Sequence, residues 1–78
     1  MTGDGVTVAT LRFRLNGEPA ELAGGSTVAD AVALLLADDD PKGVAVSLDR
    51  CVVPRSEWAS TLVRAGALVE VVSAAAGG

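Results

Sequence analysis

Residues 9–15 alternate, with Ala9, Leu11, Phe13 and Leu15 apolar and Thr10, Arg12 and Arg14 polar, and Asn16-Gly17 follows directly. A period of two sends successive side chains to opposite faces, so this segment reads as a strand with one buried side. Asn-Gly is a strong signal for a two-residue type I′ turn, because both central positions need positive φ. The chain must therefore reverse at once into an antiparallel partner over residues 18–22. Pro19 has no N–H to give to a ladder, which places that second strand at a sheet edge.

After Gly24-Gly25, Thr27 is positioned to cap a helix, with Asp30 near its positive end. The helix is predicted over 28–37. Val28, Ala31, Val32, Leu35 and Leu36 form one apolar stripe, while Asp30, Ala33 and Ala37 face away. The stripe should pack on the sheet. The opposite face has no Lys or Arg, which argues against a helix lying on a membrane surface.

The run Asp38-Asp39-Asp40-Pro41-Lys42-Gly43 breaks the helix. Three adjacent aspartates raise the possibility of a hard-cation site, but the spaced ligands and distal glutamate of an EF-hand loop are missing, so a solvated loop is expected. Val44, Val46 and Leu48 alternate with Ala45, Ser47 and Asp49, giving a third strand, and 51–53 gives a short fourth after Asp49-Arg50. Pro54 ends that strand. Ser56 is placed to cap a single helical turn, and Trp58 is expected to anchor this connection in the core, with a partner hot spot as the functional alternative. Gly66 turns the chain into a last strand over 68–72, with Val69 and Val71 inward and Leu68, Glu70 and Val72 outward.

Composition narrows the chemistry. A chain of 78 residues forms one domain that buries about 60% of its unfolded surface. Half of it is hydrophobic and 21% charged, the balance of an ordered protein. No apolar run approaches the roughly 20 residues that cross a bilayer, and the N-terminus lacks a signal-peptide pattern, so the expected location is cytoplasmic. The net charge of −4 opposes nucleic-acid binding, which needs clustered basic residues. With no histidine and one cysteine, Cys51, the chain cannot build a catalytic triad, a Cys/His pair or an internal disulfide. No metal site and no catalytic residue is expected, and the chain reads as something other than an enzyme. Cys51 could carry sulfur as a persulfide, but its strand neighbours Val52 and Val53 favour a small buried hydrophobe.

The element order, hairpin, helix, strand, short strand and strand, describes an α+β domain of β-grasp type, a mixed sheet on one main helix with the first and last strands parallel neighbours. Residues 8–72 form it, residues 1–7 are read as a flexible N-terminal extension, and 73–78 as a flexible tail. That tail, Ser73-Ala74-Ala75-Ala76-Gly77-Gly78, ends at a carboxylate flanked by residues without Cβ. Such a backbone can lie close against another protein's surface.

Four segments together resemble the ThiS family of ubiquitin-like sulfur carriers: Leu15-Asn16-Gly17-Glu18, Ser26-Thr27-Val28-Ala29-Asp30, Val53-Pro54-Arg55-Ser56-Glu57-Trp58, and Gly77-Gly78. The resemblance spans nearly everything after Thr7, and 53–58 is its most discriminating part. The chain departs from the pattern in its N-terminal extension and at Ala74-Ala75-Ala76, where members of the family often carry bulkier aliphatics. The resemblance implies a carrier that is itself a substrate. A ThiF-like adenylating enzyme would use ATP and magnesium to convert the Gly78 carboxylate to an acyl adenylate, and a sulfur donor would turn it into a thiocarboxylate. A ThiG-like thiazole synthase would then take the sulfur for thiamine biosynthesis. Gly77 would let the tail thread into a partner, and Leu68 and Val72 are expected to help dock the activating enzyme. A molybdopterin-synthase small subunit, a ubiquitin-like modifier conjugated through Gly78, and an interaction domain with an inert tail are the alternatives.

Overall fold

The computed structural model describes residues 9–36 and 43–73. The expected N-terminal extension, the aspartate run, Ala37 and the residues after Ser73 lie outside this range. Among the described residues, β1 (Thr10–Leu15), β2 (Glu18–Ala23), β3 (Val44–Leu48), β4 (Cys51–Val52) and β5 (Leu68–Ser73) form one mixed sheet in the order β2-β1-β5-β3-β4. Strands β1 and β5 are parallel, and the remaining pairs are antiparallel. The strand leading to the C-terminus is therefore the central one.

The alternation in β1 has the predicted result: Leu11, Phe13 and Leu15 are buried, and the residues between them are exposed. Ala9, expected to share this face, precedes the strand and is exposed. Asn16 (φ 53°) and Gly17 (φ 82°) both adopt the left-handed conformation that a type I′ turn requires. Strand β2 is an edge strand, as Pro19 demands, and opposite Glu21 on its outer face Arg12 makes an ion pair at 3.2 Å. Both partners are well exposed, so the pair contributes at most about 1 kcal/mol.

Helix α1 (Val28–Leu35) starts as expected and ends earlier. The Asp30 N–H donates to Thr27 Oγ1 at 3.3 Å, and the Thr27 N–H donates to Asp30 Oδ2 at 2.9 Å. This closes a capping box, a device whose Ser/Thr component typically contributes about 1 kcal/mol. Leu36 leaves the helix with extended geometry. Val28, Ala31 and Val32 are buried, Leu36 is half-buried, and Leu35, predicted on the packed stripe, is 45% exposed. An end two residues earlier than predicted leaves Leu35 in the final turn, outside the buried stripe.

The α1 stripe packs with Phe13, Val46, Val69 and Val71 from the sheet in a single core. Trp58 joins it, 6% exposed. It lies in a 3₁₀ helix, Arg55–Ser60, and its Nε1–H donates to the Val53 carbonyl at 2.9 Å. The Arg55 guanidinium carbon sits 5.6 Å from the ring centroid, a cation–π distance. Core packing is thus the role of this tryptophan. Ser56 does not cap the segment: the N-cap is Pro54, with no side-chain bond. The hydroxyls of Ser60 and Thr61 donate instead to the Glu57 carbonyl, at 3.2 and 2.7 Å, at the other end. Cys51 also departs from expectation and is exposed. Strand β4 is only two residues long and lies at the sheet edge, with a neighbour on one side, which leaves its first residue uncovered.

Candidate functional site

The C-terminal segment follows directly on β5, the last described element. Alternate residues of a central strand direct their backbone groups to opposite neighbours. On one side β3 pairs with β5 along its whole length, from Leu48↔Val69 to Val44↔Ser73. On the other side β1 pairs only at Arg14↔Leu68 and Leu15↔Val69, since the chain then turns away at Asn16-Gly17. The last backbone step of that ladder is the Asn16 N–H donating to the Val69 carbonyl at 2.9 Å.

The Asn16 side chain then takes the place of the missing strand. Its Nδ2 donates to the Val71 carbonyl at 3.1 Å, and the Val71 N–H donates to its Oδ1 at 2.7 Å. A carboxamide offers a donor and an acceptor much as a peptide group does, so the parallel ladder is extended by a side chain. At the start of β5 a second turn does related work. The Leu68 N–H donates to Asp49 Oδ1 at 2.9 Å, and the Asp49 N–H donates to the Leu68 carbonyl at 2.8 Å. Sequence reading saw Asn16 and Asp49 only as turn residues, and Asn16 contacts a residue 55 positions away.

On the outer face of the sheet, Leu68, Glu70 and Val72 point outward as predicted. Val72 is 62% exposed and Leu68 half-buried. Register places Arg14 beside Leu68, Ser47 beside Glu70, and Ala45 beside Val72. The Ser47 hydroxyl donates to Glu70 Oε1 at 3.2 Å. Val72, Ala45 and Val52 line a common groove of about 530 Å³, together with Ser47, Glu70 and Asn16. Leu68 is not part of it, lying roughly 13 Å from Val72 along the strand. The two predicted docking residues thus share a face but not a pocket. Val52, 76% exposed, is an apolar member of this surface that the sequence reading did not assign. With Val53 turned inward, strand alternation alone would have directed Val52 outward.

Among the described residues no group of His, Cys, Asp and Glu is arranged to hold a metal ion, and no helix is long and apolar enough to cross a membrane. Gly77 and Gly78 lie outside the described residues, so the site that the structure gives is the root of the tail and the face around it.

Comparison with known proteins adds three findings. A model of the ThiS family matches residues 13–78. No curated protein matches significantly. Among solved structures, a crystal structure of a thiamine biosynthesis protein (ThiS) from Geobacter metallireducens superposes with a TM-score of 0.68 at 26% identity, covering 87% of this chain and all of that one.

Proposed function

The chain belongs to the ThiS family of small sulfur carriers, which supports a role in thiamine biosynthesis, and from that premise we propose that Gly78 is its working residue. A free carboxylate resists nucleophiles. Attack of the Gly78 carboxylate on the α-phosphate of ATP, with release of pyrophosphate, makes an acyl adenylate; a donor persulfide then expels AMP to give an acyl disulfide, and a thiol cleaves its S–S bond to leave the thiocarboxylate and a disulfide of thiol and donor. The catalysis belongs to a ThiF-like adenylating enzyme using magnesium and ATP. A ThiG-like thiazole synthase is the acceptor, and the setting is cytoplasmic. Gly77 contributes a backbone slender enough to thread into a partner's active site.

The observation that carries this reading is the match of the family model through Gly78, on a domain whose central strand leads into the tail. The test is reconstitution of thiazole formation from this chain, a ThiF-like enzyme, a ThiG-like synthase with the carbon and nitrogen substrates of the ring, a sulfur donor, ATP and magnesium. Product should depend on the chain and disappear when Gly78 is deleted. Undiminished product without Gly78 contradicts the reading, and isopeptide-linked adducts in place of thiazole would favour a protein modifier.

Docking on the adenylating enzyme is assigned to the outer face of β5. Changing Leu68 and Val72 together to Asp is expected to weaken binding more than tenfold while the fold is retained. Val72→Asp should account for most of the loss, because Val72 shares its groove with Val52 and Ala45. Normal affinity in a titration of the double variant contradicts the assignment.

A further inference from the structure

We propose that Asn16 is a positioning residue for Gly78, an inference that rests on the sulfur-carrier reading above. Among the described residues β5 has no strand on its β1 side beyond Val69, and the Asn16 carboxamide bonds both the N–H and the carbonyl of Val71. The same residue occupies the first turn position at φ 53°. One residue therefore ends β1 and also fixes the part of β5 from which the tail departs. The two hydrogen bonds are partly buried, and Asn16 lines the groove shared by Val52 and Val72.

Loss of the carboxamide removes the partner that Asn16 gives to both backbone groups of Val71. Loosening of residues 70–73 against β3 would about double the number of residues between the held part of β5 and Gly78. Effective concentration falls roughly as the −3/2 power of tether length, so the carboxylate would be presented about threefold less often. Any misalignment at the adenylation site adds to that loss. Asn16 itself touches no reacting atom, and its effect passes through Val71.

The test uses the full chain, its Asn16→Gly variant and a chain lacking Gly78, each with ATP, magnesium and the ThiF-like enzyme. Glycine accepts positive φ without strain, so this variant removes the carboxamide and preserves the turn. Adenylation kinetics should show kcat lowered about three- to tenfold, with KM changed by a smaller factor. Hydrogen exchange at the Val71 amide should accelerate at least tenfold relative to amides of α1. An unchanged kcat, a change confined to KM, or unaltered Val71 exchange overturns the inference. If Asn16→Gly does not fold, Asn16→Asp serves instead: it keeps the acceptor for the Val71 N–H and loses the donor, and is expected to show a smaller loss of the same kind. Full kcat in that variant with unchanged exchange would equally overturn the proposal. The chain lacking Gly78 separates the two claims. If it is adenylated normally, the Gly78 reading fails and the inference fails with it. If it is inert while Asn16→Gly reacts at full rate, only the role of Asn16 is lost.

Discussion

The turns at Asn16-Gly17 and Asp49-Arg50 both join neighbouring antiparallel strands through two residues of positive φ, at 53° and 82° in one and 50° and 72° in the other. In both, the side chain of the first residue reaches across to β5: Asn16 to Val71, Asp49 to Leu68. They differ in what imposes the backbone. Glycine accepts its conformation freely, whereas Arg50 pays the left-handed penalty of a residue with a Cβ, about 1–2 kcal/mol. Asp49 holds β5 through both its backbone N–H and its carboxylate, and that tertiary grip keeps the second turn in a geometry its own sequence does not favour. A local signal encodes one turn, and the sheet enforces the other.

The largest expected effect is at Asn16. Asn16→Ala removes two partly buried bonds and leaves both polar groups of Val71 unpartnered on that side, at a cost of about 2–4 kcal/mol in chemical denaturation. Asp49→Ala gives up one exposed side-chain bond and a residue suited to the left-handed region, at a cost of about 1–2 kcal/mol. If Asp49→Ala proves the more damaging, the two turns do not divide the work as described. Next comes Gly17→Ala. Nothing lies within 4 Å of the added Cβ, so its cost is conformational alone, again about 1–2 kcal/mol. The smallest effect has the opposite sign. Arg50→Gly should stabilise the protein by about 0.5–1 kcal/mol as it relieves the strained φ, and a destabilising result would show that the Arg50 side chain contributes more than its backbone costs.

The same contrast explains what could be read from the sequence. Periodicity and turn chemistry are local, so β1, the Asn16-Gly17 turn, the edge position of Pro19 and the Thr27 cap follow from the residues themselves, and their order leads to the β-grasp. The departures depend on where elements begin and end and on what lies beside them in the fold. The burial of Leu35 hinged on where the helix stops, and the Cys51 exposure on how little of β4 has a neighbour. Ser56 had cap chemistry at a place where Pro54 starts the segment. The side-chain ladder at Asn16 joins residues 55 apart, and no spacing rule points to it. For the site, the outward alternation of Leu68 and Val72 was legible, but the groove that pairs Val72 with Val52 and separates it from Leu68 exists only once β4 and β5 have each found their place beside β3.

The account depends above all on the Gly78 carboxylate. Its most direct test is the intact mass of the chain, followed by that of its C-terminal peptide, after incubation with ATP, magnesium, the ThiF-like enzyme and a sulfur donor. The predicted result is replacement of one oxygen by sulfur, localised to Gly78. An unchanged mass, or the same gain in a chain lacking Gly78, would contradict it.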